Sequence, residues 1–152
     1  MKNSFYIFLI TVVTVIFFVK LFYPKPAIFF TPETTKGDIW YFNYPVRNFL
    51  GNSLKNIKLP LWIRDMGTGY PIYAEGQIGT FNIFNLMFFS LFPNWLAFNL
   101  SYITIFFLNF LGYFLFFKIQ KIRFSAGTIV VLVIFFVYFQ ILPCIKGVKF
   151  DR

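Results

Sequence analysis

Five carboxylates and no histidine set the limits on the acid–base chemistry open to this sequence. Without imidazole, the commonest general base and the commonest metal ligand are both missing. Four of the five acids, Glu33, Asp38, Asp65 and Glu75, lie between Pro24 and Thr80, the stretch that also holds most of the Gly and Pro. Asp38 has the most suggestive setting. It follows Gly37, sits 15 residues beyond Tyr23 at the end of an apolar segment, and opens an aromatic run from Trp40 to Tyr44. A carboxylate at a low-dielectric boundary has its pKa raised unless a cation offsets it, which suits a general base or a metal ligand. The plainer reading of Asp38 is a loop acid that caps a turn or pairs with Lys36 or Arg47, and residue types alone leave both open.

The elements that position these residues are those of a membrane protein. Of 152 residues, 59% are apolar, 26 are Phe and only 12% are charged. Soluble domains carry roughly a quarter charged residues and could not hide so much apolar surface at this size. From Gly76 to Phe117, 42 residues pass without a charge, and Phe124 to Ile145 adds 22 more. About 20 apolar helical residues cross the hydrocarbon core. The pattern predicts spans over 5–23, 94–117 and 125–142. Pro93 cuts off 81–92, too short to cross and therefore expected to be an interfacial or re-entrant helix. A cleaved signal peptide would need small residues after its apolar core. Lys20-Leu-Phe-Tyr-Pro follows instead, so 5–23 reads as an uncleaved anchor.

Between the first two spans, residues 24–80 form a polar loop. Pro45, at a favourable first-turn position, is followed by Val46, Phe49, Leu50, Leu54 and Ile57 at helical spacing. Arg47, Asn48, Asn52, Lys55 and Asn56 fall largely opposite. This predicts an amphipathic helix near 45–57, lying either along the membrane surface or against the rest of the loop. The charge of +9 is scattered over 14 basic residues that mostly flank apolar runs, a pattern of topology determinants rather than of nucleic-acid binding. Lys118, Lys121 and Arg123 make a short basic turn, expected inside, which puts the 24–93 loop outside and the N-terminus inside. Cys144 is the only cysteine, so no intrachain disulfide forms. The expected class is an all-α membrane protein with three transmembrane helices and an extracytoplasmic loop carrying short interfacial helices.

Several short motifs stand in order behind the first span: Gly37-Asp38, Tyr44-Pro45, Pro60-Leu61-Trp62, Gly69-Tyr-Pro71 and Ala74-x-x-Gln77. Over roughly Met1 to Phe117 this order resembles the YfhO-type bacterial membrane proteins and, more broadly, the C-type (GT-C) integral-membrane glycosyltransferases. The resemblance implies the N-terminal portion of a GT-C-like fold in the bacterial cytoplasmic membrane, with a polyprenyl-phosphate sugar as donor and an extracytoplasmic acceptor. Asp38 takes the place of the acid that acts on the acceptor or on a metal, which makes a divalent cation the candidate cofactor. Arg47 and Arg64 are candidates for the lipid phosphate, since guanidinium forks match phosphate oxygens. Asp65, Glu75 and Gln77 are nearby polar candidates for substrate binding. The chain departs from the family in lacking a glycine just before Pro60-Leu-Trp and in having Ile83 where a proline is common. Family members also carry many more spans. The expectation is therefore an N-terminal fragment, inactive alone, that needs the C-terminal part or partner membrane subunits. The alternative is a small non-enzymatic accessory subunit. A transporter piece ranks third, because the predicted spans hold no ionisable residue except Lys20 near an end.

Overall fold

A computed structural model describes residues 8, 11–12, 14–16, 18–23, 27–28 and 38–121. The described residues are mostly helical, and among them no strand forms beyond one isolated antiparallel bridge between Ile63 and Tyr70. The expected third span, 125–142, lies outside the described residues, and the first, 5–23, lies partly outside them. The chain divides into two units, Ile28–Ser101 and a second made of Met1–Ala27 with Tyr102–Arg152.

Among the described residues of the first unit, helical backbone runs from Asp38 through a π-helical turn over Ile39–Asn43 directly into α1, Tyr44–Lys55. The wider turn ahead of Pro45 suits a residue that has no N–H to give to the helix ladder. Val46 and Leu50 of α1 are fully buried, and α1 packs against the next helix, α2, Ile83–Leu91. Val46 and Leu50, on the apolar side of the loop helix, therefore face protein. Its end also differs from expectation. Ile57, the last apolar position of the predicted periodicity, lies beyond Lys55 and outside the helix.

Asn82 starts α2 by accepting the Phe84 N–H at 2.9 Å, a standard N-cap bond. After Phe92 and Pro93 the chain enters α3, Asn94–Ile119. Its residues Asn94–Phe116 are long and apolar enough to cross a membrane, as its charge-free sequence leads one to expect. Pro93 thus separates a 9-residue helix from a 26-residue one, where the sequence expects pieces over 81–92 and 94–117.

The loop between α1 and α2 is held by buried polar groups rather than by regular structure. Asn85 donates to the carbonyls of Ile78 and Gly79, at 3.0 and 2.9 Å, and accepts from the Ser101 hydroxyl at 2.8 Å. Thr80 donates to the Ile72 carbonyl at 2.8 Å. Each of these side chains is buried, and an unmade bond there would cost about 1–3 kcal/mol. They tie residues 72–80 to α2 and to the first turns of α3, with Ile72, Ile78, Phe89 and Phe98 filling the space between. In the second unit, helical backbone in the N-terminal segment ends in a 3-10 turn over Val19–Leu21, and Phe18 meets Phe106 edge-on at 5.3 Å.

Candidate functional site

Asp38 is exposed just before the π-helical turn, and its side chain makes no capping hydrogen bond to that turn. Its main-chain carbonyl accepts from the Asn43 side chain at 3.4 Å, which steadies the turn without engaging the carboxylate. Below it, two aromatic contacts fix the run. Trp40 stacks on Tyr44 with ring planes 1° apart, and Tyr44 meets Phe98 of α3 edge-on at 5.2 Å. Burial pushes the Tyr44 phenol up in pKa, so it stays neutral. Phe42, four residues beyond Asp38, meets Tyr70 edge-on at 5.4 Å.

Tyr70 belongs to the loop that reads Ile63-Arg64-Asp65-Met66-Gly67-Thr68-Gly69-Tyr70. The Ile63–Tyr70 bridge closes this loop with two hydrogen bonds of 2.8 Å. Gly69 at φ +108° lets the backbone pass against the Trp62 indole, where a Cβ would come within 2.4 Å of Nε1. Only glycine fits there. The Tyr70 hydroxyl donates to the Glu75 carboxylate, which also accepts the Gln77 N–H at 3.0 Å. Partial burial and the Glu75 carboxylate beside it push the Tyr70 phenol up to about 12. In return the Tyr70 and Gln77 hydrogen bonds hold Glu75 below the usual carboxylate value. Glu75 is thus an ionised acceptor with free lone pairs, suited to hydroxyl donors and unsuited to acting as a general acid.

The six residues singled out in the sequence therefore go to three places. Glu75 and Gln77 come together around Tyr70, whose ring meets Phe42 of the helical run that includes Asp38. Arg64 and Asp65 lie exposed on the closed loop. Arg47 is buried, with its guanidinium 5.5 Å over the Phe98 ring, so it is enclosed by protein rather than presented to a ligand. Tyr70 was not singled out, because a five-residue separation in a Gly- and Pro-rich loop carries no periodic signal. Among the described residues no three His, Cys, Asp or Glu side chains gather.

No protein-family model, curated protein or solved structure matches this chain.

Proposed function

We propose that this chain contributes the N-terminal part of an integral-membrane glycosyltransferase that moves a sugar from a polyprenyl-phosphate donor to an extracytoplasmic acceptor. The observation that carries the reading is an exposed, uncapped Asp38 on a helical run anchored by Phe42 on Tyr70 and by Tyr44 on Phe98. A fixed backbone with a free carboxylate is what a positioned general base requires. In the proposed step Asp38 takes the proton of an acceptor hydroxyl as its oxygen bonds to the anomeric carbon. The bond from that carbon to the lipid phosphate breaks, and the phosphate leaves with the electron pair. Direct displacement inverts the anomeric centre. Arg64, exposed, is the proposed contact for the departing phosphate in place of the enclosed Arg47.

The same reading includes the finer membrane arrangement: three spans, the N-terminus and the 118–124 turn inside, and the 24–93 loop outside the cytoplasmic membrane. Cysteines at Thr68 and Gln120 in a Cys144→Ser background should label with an impermeant thiol reagent in intact cells only at Thr68. Labelling at Gln120 would refute the arrangement.

The enzyme reading is tested with Asp38→Asn in the complete protein to which this segment belongs, by sugar transfer in membranes normalised to protein level. Loss of a general base typically costs about 100- to 10,000-fold, so transfer should fall at least about 100-fold with insertion unchanged. Glu75→Gln, at an ionised acceptor that moves no proton, should cost less than about tenfold. Near-normal transfer by Asp38→Asn would favour the accessory-subunit alternative.

A further inference from the structure

Helix α1 ends in a Schellman motif. The Lys58 N–H bonds the Ser53 carbonyl at 2.9 Å and the Ile57 N–H bonds the Leu54 carbonyl at 3.0 Å. That motif needs its pivot residue in the left-handed region, and Ile57 is there, at φ +54°. Glycine is the usual occupant, because a Cβ crowds the following carbonyl, and a β-branched side chain is the least suited of all. Ile57 is also 95% exposed, the most exposed large apolar side chain among the described residues. Backbone and water both disfavour isoleucine at this position. The side chain becomes favourable only if something apolar beyond the described residues receives it.

The neighbouring residues repeat the pattern. Leu59 and Leu61 are exposed, the Leu61 N–H turns back to the Leu59 carbonyl at 3.0 Å, and buried Pro60 anchors the corner between them. Half-exposed Trp62 closes the segment, held against Gly69. Lys55 and Lys58 flank Ile57, and from residue 39 to residue 64 the chain carries four cations and no carboxylate.

We propose that the corner from Ile57 to Trp62 is a lipid-inserting wedge, with Ile57, Leu59 and Leu61 entering the acyl boundary of the leaflet and Lys55 and Lys58 holding anionic phospholipid headgroups. Two observations select a bilayer as the occupant. The Lys55 ammonium donates to the Asn94 side chain at 2.5 Å, and Asn94 is the first residue of the helix long and apolar enough to cross a membrane. Ile57, two residues beyond Lys55, therefore lies beside the level at which that helix would leave the hydrocarbon. The uniformly positive segment is complementary to anionic headgroups, and an aromatic next to exposed aliphatics and lysines is the composition of a membrane interface. The wedge does not depend on the glycosyltransferase reading, since it requires only that α3 be in a membrane.

The test uses the full chain with Cys144→Ser and a single environment-sensitive fluorophore on Ile57→Cys, Leu59→Cys or Thr68→Cys. Each is reconstituted into phosphatidylcholine vesicles, with and without phosphatidylglycerol, that contain acyl-chain spin-labelled lipid. Quenching at 57 and 59 should be several-fold stronger than at exposed Thr68, and stronger again with phosphatidylglycerol. Adding Ile57→Gly, which suits the left-handed position and keeps the fold, should lower quenching at 59. Probes at 57 and 59 as water-exposed as the one at 68 would overturn the wedge and leave a protein partner as the occupant. Equal quenching with and without phosphatidylglycerol would overturn the headgroup role of the lysines.

Discussion

Gly51→Ala should destabilise this protein, although alanine is the better helix former. In the interior of a helix the exchange normally gains about 1 kcal/mol. Here a Cβ at residue 51 would lie 2.3 Å from the Asn94 side-chain oxygen, 2.8 Å from its Cγ and 3.0 Å from a ring carbon of Phe89. Ordinary contact begins at 3.4 Å, so Asn94 would have to retreat by about 1.1 Å (3.4 − 2.3). It is not free to do so. Its amide donates to the Asn48 and Asn52 side-chain oxygens, at 2.5 and 2.8 Å, and its oxygen accepts from Lys55 at 2.5 Å. A shift of that size breaks two or three bonds worth about 1 kcal/mol each, and Phe89, fully buried, adds overpacking strain. The clash outweighs the propensity gain, leaving a net loss of about 1–3 kcal/mol. The assay is the denaturant midpoint of the full chain in detergent micelles, for Gly51→Ala, Asn94→Ala and the pair. With Asn94 truncated, Gly51→Ala should be close to neutral, so the loss in the pair should fall short of the sum of the single losses by about 1–3 kcal/mol. A stabilised Gly51→Ala single variant would refute the reasoning, because it would mean that the Asn94 cluster yields at no cost.

Two further changes test the loop. Ile57→Gly relieves a left-handed β-branched residue, worth about 1–2 kcal/mol, against about 0.5–1 kcal/mol of added unfolded-chain entropy. If Ile57 enters the micelle as the wedge requires, losing its burial costs about 1.5–3 kcal/mol and outweighs that gain, so stability in micelles should fall. A rise of about 0.5–1 kcal/mol would place Ile57 in water and count against the wedge. Tyr70→Phe removes the largest cause of the lowered Glu75 pKa. A carboxyl whose folded pKa is depressed stabilises fully above its unfolded pKa and loses that contribution as pH falls through the folded value. Wild-type stability should thus drop below the ordinary carboxyl value of 4.5, and the Tyr70→Phe profile should be flatter there; identical profiles would remove the coupling.

Where the structure is legible in the sequence, one physical rule dominates. The helix ending at Lys55 shows because Pro45 opens a 3.6-residue spacing, and the long helix from Asn94 shows because nothing charged interrupts it. Each is a local rule, and each leaves the partner unspecified. The polar positions of α1 illustrate the limit. Residues 47, 48, 52 and 55 read as a solvent face because they lie opposite Val46 and Leu50, yet Asn48, Asn52 and Lys55 bond Asn94, and Arg47 is buried against Phe98. The cause is that α1 is covered twice, by α2 and by the first turns of α3, so its protein-facing arc widens past the apolar stripe to include Arg47 and Gly51. A second covering element 40 or more residues away leaves no periodic trace. For the same reason Arg47 drew attention as a phosphate ligand: a cation in a loop looks available until the helix that encloses it is seen. Asp38 precedes α1 and lies outside both coverings, so its carboxylate is exposed where the Arg47 guanidinium is buried.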